Sequence, residues 1–310
     1  MQFLSKATHF DFISKRTAAF GLSIFLIVVS LGSLAVQGLN FGIDFAGGTL
    51  IQVRFDTALP LGQIRSAVKP LELGDTVVQE FGTPEEALIR VEKQGKSNEE
   101  QQAIVNSVIT ALSAIDTENR VEMRRVEYVG PQVGEELTQQ GLMAMLYSMI
   151  AILIYVSWRF ELRFALGAVA ALLHDVFLTM GFFSIMQKEF TLVVVAALLT
   201  VVGYSLNDTI VVYDRIREEM KRLKKQPMGT IINEAVNRTL ARTLVTSLTT
   251  ILVLIALLVF GGAVIHDFAL TLFFGVLVGT YSSIFVASPL VLWLDNVKQK
   301  KREAAMAANN

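Results

Sequence analysis

Residues 190–213 read FTLVVVAALLTVVGYSLNDTIVVY, and the only formal charge in the run is Asp208. A helix rising 1.5 Å per residue needs about 20 predominantly apolar residues to cross a hydrocarbon layer roughly 30 Å thick, so this run spans it. A carboxyl inside such a helix costs at least ~2.5 kcal/mol on insertion scales, and acids kept at that cost tend to face a bundle interior and serve ion or substrate paths. Asp208 lies six residues before Asp214 at the cytoplasmic end of the run, roughly 9 Å inward by helical rise.

Five more blocks of this kind surround it, at 18–36, 137–158, 164–186, 243–265 and 268–294. Hydrophobic residues make up 53% of the 310 positions, charged residues 18%, and mean hydropathy is +0.51. No water-soluble single domain needs that balance to fill its core, so the expected fold is an α-helical polytopic membrane protein with six transmembrane helices. Cysteine is absent, which excludes a disulfide framework, a thiolate metal site and a cysteine nucleophile.

The charges are sorted by side. Lys6, Lys15 and Arg16 precede the first span, Arg159 and Arg163 separate the second and third, and residues 215–242 add eight Lys and Arg between the fourth and fifth. Lys298, Lys300, Lys301 and Arg302 follow the sixth, whereas the hairpins after the third and fifth spans hold only Lys188. The positive-inside rule then predicts cytoplasmic termini (1–17 and 295–310), with 37–136 facing outward. In that outer segment Asp and Glu outnumber Lys and Arg by sixteen to nine. Ser33 and Ala35 resemble a small-x-small cleavage site, but the apolar run exceeds the usual h-region of about 7–15 residues, so an uncleaved signal anchor is expected.

Within 37–136, residues 49–55 alternate as a strand does, 61–71 have helical spacing, and 76–81 and 87–91 are short β-rich runs. Asn98 opens a helical pattern through Ile115, and 120–129 reads as a last strand. The order βαββαβ predicts a small α+β ferredoxin-like periplasmic domain. The remaining spans, 137–294, are expected to form a five-helix bundle. In it Gly275, Gly279 and Ser283, and likewise Gly167 and Ala171, place small residues where helix backbones approach closely. After Pro227, an amphipathic segment near 229–241 carries Ile231, Ile232, Ala235, Val236 and Leu240 on one face, and either lies at the cytoplasmic surface or packs on the bundle. The tail from 303 to 310 is expected to be disordered.

The candidate proton relay is Asp208 with Asn207, Asp175 with His174 near the middle of the third span, and Arg242 at the head of the fifth. Thr246, Thr249 and Thr250 continue a polar stripe from Arg242, and Thr200, Tyr204 and Asp208 draw another on the fourth helix. If the stripes face each other, Arg242 pairs with ionised Asp208 and releases it on protonation, since burial raises a carboxyl pKa and a nearby cation lowers it. The bland readings are a snorkelling arginine and a static His174–Asp175 pair. The glycine-rich stretch 41–49, FGIDFAGGT, does not follow a strand and open a helix as a dinucleotide fingerprint does, and reads as a rigid junction between first span and outer domain.

The stretches GIDFAGGT (42–49), EYVGPQVG (127–134), GYSLNDTIVVYDRIRE (203–218), and Arg242-Thr243-Leu244 with Thr246-Ser247 strongly resemble the SecD/SecF family, within the resistance-nodulation-division superfamily. The resemblance runs through nearly the whole chain. It implies a non-enzymatic auxiliary role in protein export, partnership with SecD as half of a twelve-helix unit, and association with the SecYEG channel, the translocating preprotein, YajC and membrane lipid. It further implies the proton gradient as energy source with no bound cofactor, no metal and no nucleic acid, and a proton-conducting role at the positions of Asp208 and Arg242. Three rivals remain at this stage: a proton-driven half-transporter for lipids or hydrophobic small molecules, an intramembrane aspartyl protease using Asp175 and Asp208, and a purely structural stabiliser of the translocon.

Overall fold

In the computed structural model, residues 8–308 apart from Gln94 and Lys96 are described, so Lys6 and the last two residues lie outside the described region, as does the side chain of Arg302. Six helical segments are long and apolar enough to cross a bilayer: α1 (Arg16–Val36), α5 (Pro131–Arg159), α6 (Leu162–Met186), α7 (Leu192–Arg222), α8 (Met228–Phe260) and the continuous run Ala263–Met306. That last run is α9 (Ala263–Ser282), a π-helical turn (Ser283–Ala287) and α10 (Ser288–Ala308).

Between α1 and α5 stands the sheet domain. Its strands are β2 (Gly48–Phe55), β3 (Thr76–Phe81), β4 (Thr83–Val91) and β5 (Val121–Val129), with α3 (Leu61–Val68) and α4 (Asn98–Ser113) as the crossovers. The strand order β3-β4-β2-β5, antiparallel throughout, is the ferredoxin-like arrangement. Alternation along β2 sends Ile51, Val53 and Phe55 into a core shared with Ile64 of α3 and Val105, Val108 and Leu112 of α4. Ser97 caps α4 by accepting from Glu100 N, and Glu99 and Glu100 complement the helix dipole.

The small residues of the bundle sit where two helices nearly touch. A Cβ on Gly275 of α9 would fall 2.2 Å from Val201 Cγ2 of α7, and one on Gly279 would fall 3.0 Å from Ser205 Cβ. Gly181 of α6 meets Ser30 of α1 as closely, and Ser33 and Ser184 pair their hydroxyls at 2.8 Å one turn further out. Gly167 leaves room for Tyr213, whose fully buried ring stands edge-on to Phe164 and Phe160. Without hydrophobic driving force between helices in lipid, such close packing is what holds a bundle together.

Of the two arrangements expected for the amphipathic segment, the structure has the packed one: residues 229–241 are the opening turns of α8, continuous with the fifth span. Its apolar face is buried in the main core, Asn233 and Asn237 tie down the backbone of Phe12 and Phe10, and Arg238 joins Arg215 and Arg222 around the buried carboxylate of Glu219. The bundle end supplies an apolar surface that the segment covers, so it packs there instead of lying in the interface. The described part of the tail, expected to be disordered, is instead helical, because its alanine-rich sequence extends α10 at little propensity cost.

Candidate functional site

Two acids are held in the bundle by separate sets of hydroxyls. Asp175 of α6 is 0% exposed. Its Oδ2 accepts from Ser205 Oγ of α7 at 2.6 Å and from Ser282 Oγ of α9 at 2.8 Å, and its Oδ1 lies 2.9 Å from His174 Nδ1. Two hydroxyls donate to this carboxyl withdrawn from water, and the imidazole adds a third donor in the tautomer that carries its proton on Nδ1. His174 stacks on Tyr281, whose hydroxyl donates to Ala19 O of α1 at 2.8 Å, so the first span is fastened to this centre. His174 Nε2 is buried with no hydrogen-bond partner among the described residues.

Asp208 of α7 is half-buried. Thr243 Oγ1 of α8 donates to its Oδ1 at 2.6 Å, and Ser283 Oγ at the head of the π turn donates to its Oδ2 at 2.5 Å. A cleft of about 290 Å3 between α7 and α8 reaches this carboxyl, lined by Tyr204, Asn207, Asp208, Thr246, Thr249 and Thr250. Asn207, Thr246 and Thr249 are exposed, so the cleft opens on the flank of the bundle, and Tyr204 Oη donates to Thr250 Oγ1 across it at 3.2 Å.

Four of the seven relay residues named from the sequence, Tyr204, Asn207, Asp208 and Thr246, therefore line one cleft, and His174 and Asp175 form a second centre. Arg242 joins neither. Its side chain is exposed and makes no ion pair among the described residues, so the expected Arg242–Asp208 pairing is absent. The reason is helical phase: successive side chains point about 100° apart, and it is Thr243 that turns toward Asp208. Sequence reasoning missed Ser205, Thr243, Ser282 and Ser283. Ser283 was visible as the third member of the small-residue seam, and Ser205 lies three positions before Asp208 on the same helix face, which is the signal that could have found them. The two acids keep different hydroxyl partners, an arrangement unlike the paired carboxyls that an aspartyl protease needs to share one proton.

The end of the bundle that carries the hairpin between α6 and α7 is fastened to the sheet domain. The glycine-rich stretch forms β1 (Asn40–Phe41) and the single turn α2 (Ile43–Ala46); β1 pairs in parallel with β6 (Glu189–Phe190) in the hairpin before α7. Asp44 Oδ2 accepts from Leu192 N at 2.9 Å, an anion at the positive end of the fourth-span helix. Gly134 of α5 brings that helix against Phe45 O, where a Cβ would sit at 2.9 Å. Glu189 Oε2 accepts from Gln79 Nε2 of β3 at 2.7 Å, beside a cavity of about 470 Å3 that also reaches Lys188, His266 and Asp267.

Burial raises the Glu189 carboxyl above its ordinary 4.5, helped by Asp267 and Asp44 and opposed by Gln79 and Arg90. Its docked form thus holds a proton that the undocked form has released, and this contact weakens as pH rises from 4.5 through the raised value. Glu189→Gln should remove that dependence, raising the thermal midpoint of the detergent-solubilised chain at neutral pH by no more than about 3 °C and leaving it unchanged in acid. A variant that melts lower at neutral pH would contradict the assignment.

A six-span bundle with hydroxyl-held acids in its interior and a ferredoxin-like domain seated on one end defines a multi-pass membrane protein of the transport class. Residues 108–297 match the family described as protein export membrane protein SecD/SecF, C-terminal, and residues 32–58 match the SecD/SecF GG motif. The chain belongs to the SecD/SecF family of protein export membrane proteins. The protein translocase subunit SecF of Magnetococcus marinus is 74% identical over 307 residues, covering 99% of both chains. That of Calditerrivibrio nitroreducens is 46% identical, covering 97% of this chain and 99% of its own. The crystal structure of SecDF from Thermus thermophilus, a translocon-associated membrane protein, superposes with a TM-score of 0.86 at 36% identity, covering 96% of this chain and 40% of that one. SecDF in its super-membrane-facing form gives a TM-score of 0.70 over the same shares.

Proposed function

We propose that this chain is an accessory subunit of the Sec protein translocase that works with SecD and couples proton flow to the later stages of preprotein export. It sits in the bacterial inner membrane with both termini in the cytoplasm and residues 37–136 in the periplasm, and contacts the SecYEG channel, YajC, lipid and the emerging preprotein. It is not an enzyme; the proton gradient is its only energy source. The observation that carries this reading is a carboxyl, Asp208, gripped at once by two neighbouring elements and reached by a polar cleft. A proton arriving there replaces an acceptor by a donor, so the grip on α8 and on the π turn has to rearrange. One charge crossing 100 mV supplies about 2.3 kcal/mol, enough to bias a two-state element several tens of fold.

Thr243 and Ser283 take the place of the arginine in this scheme. Arg242 stays on the exposed flank beside the cleft, and His174 and Asp175 relay the change to the first span through Tyr281. The motion then reaches the sheet domain through the glycine junction. A half-transporter for hydrophobic molecules would want an apolar cavity, whereas this cleft is walled by tyrosine, asparagine and threonine. The test is export of a preprotein arrested late in translocation into vesicles holding this chain, SecD and SecYEG, with and without an imposed proton gradient. Completion should require both the gradient and this chain; completion indifferent to the gradient overturns the proposal.

A further inference from the structure

Ser282 and Ser283 are consecutive residues on one helix, yet each donates to a different acid on a different neighbour, Ser282 to Asp175 of α6 and Ser283 to Asp208 of α7. Side chains about 100° apart on a helix reach two adjoining helices, which is how one turn can serve both centres. Each hydroxyl also has a second acceptor within range: Gly279 O at 3.2 Å for Ser282 and Thr280 O at 3.1 Å for Ser283. A hydroxyl carries one proton and can donate to only one of them at a time. The π turn begins at Ser283, and Ser288 Oγ donates to Ser283 O at 2.8 Å. π turns inside helices occur mostly as single insertions, frequently at functional sites.

We infer that Ser282 and Ser283 are positioning residues that bind Asp175 and Asp208 into one coupled titrating unit, each serine switching its proton between a carboxylate and a carbonyl of the same helical turn. This rests on the reading that Asp208 takes up protons. When a carboxylate is protonated, its new O–H needs an acceptor, and the serine oxygen becomes that acceptor once its own proton has turned to the carbonyl three residues back. The two fallback carbonyls, of Gly279 and Thr280, belong to adjacent peptide units, so the turn that receives one proton is the turn that must receive the other. Ser205 adds a second link, since it donates to Asp175 from the same face of α7 that carries Asp208. The titratable and charged groups facing the pair are His174 and Tyr281 at Asp175, Tyr204 at Asp208, Tyr213 donating to Ala287 O at the end of the π turn, and Arg242 turned outward; α1 buries Ser23 and Ser30, neither of which titrates.

The experiment is difference infrared spectroscopy of the full chain in lipid vesicles, reading the C=O stretch of protonated carboxyls between about pH 4 and 9, the range over which buried acids titrate. Asp175→Asn and Asp208→Asn assign the two bands. Asp208→Asn should move the proton affinity of Asp175 by about tenfold, the scale on which interacting sites share macroscopic titrations. That shift should vanish in a Ser282→Ala, Ser283→Ala background and return with Ser282→Thr, Ser283→Thr, which restores the hydroxyls. A shift that persists in the alanine background means through-space charge interaction and overturns the serine assignment alone. Titration of neither carboxyl overturns this inference and the proton-coupled reading together.

Discussion

Asp208→Asn should leave the protein folded and assembled while reducing the gradient-dependent gain in preprotein export to none. Asparagine has the shape of the protonated acid. Its Oδ1 still accepts from Thr243, and its Nδ2, standing where Oδ2 stood, donates to Ser283 Oγ, whose own proton turns to Thr280 O at 3.1 Å. Every partner remains satisfied, so stability should change by no more than about 1 kcal/mol, the net worth of one hydrogen bond. What disappears is the alternation: a group that cannot ionise holds α7, α8 and the π turn permanently in one arrangement, and a bias of several tens of fold has nothing to act on. Measured as completion of an arrested preprotein in vesicles, the variant should match the wild type without a gradient and gain nothing when one is imposed. Undiminished stimulation would remove Asp208 from the mechanism.

The same residue illustrates how far a sequence carries. That Asp208 is the leading candidate follows from its place in an apolar run, because lipid makes an unpaired acid expensive whatever the fold around it. The six spans and the βαββαβ order were legible for a similar reason: hydropathy over about 20 residues and alternation over four to eight are local signals. Partners across helices are not local. The threonine stripe on the fifth span does face Asp208 across the cleft, but Thr246, Thr249 and Thr250 donate their own protons to carbonyls of their own helix, at Arg242, Val245 and Thr246. Hydroxyls can always satisfy themselves this way, so spacing alone does not say which will reach a neighbour. Thr243, outside the stripe, is the threonine of α8 that donates to the Asp208 carboxyl. The two-residue ladder of β1 with β6 was equally invisible, being too short to impose a pattern, although it joins residues about 150 positions apart.

Gly48→Ala should uncouple the outer domain from the bundle while leaving Asp208 able to titrate. Gly47 has φ 69° and ψ −179°, a region occupied almost only by glycine, and Gly48 follows with φ 118°. A side chain at either position costs of order 1–3 kcal/mol in backbone strain alone. At Gly48 the added Cβ would also fall 2.6 Å from Val91 O, and a carbonyl in a paired strand has no rotamer by which to move aside. Here β2 begins, between β4 and β5, with Thr49 opposite Val91 and Gly48 opposite Val129, so relief must come from opening the first ladder steps. The core around Ile51, Val53 and Ile89 lies further along the strands and keeps the domain folded. The damage falls on the short path by which Asp44 caps α7 and Gly134 seats α5 against Phe45. Export driven by the gradient should therefore drop at least tenfold, while proton uptake at Asp208, read by its infrared band, keeps its wild-type midpoint. If the alanine variant exports normally, the junction does not transmit the motion, and the Glu189–Gln79 contact and the β5–α5 connection remain as routes from bundle to domain.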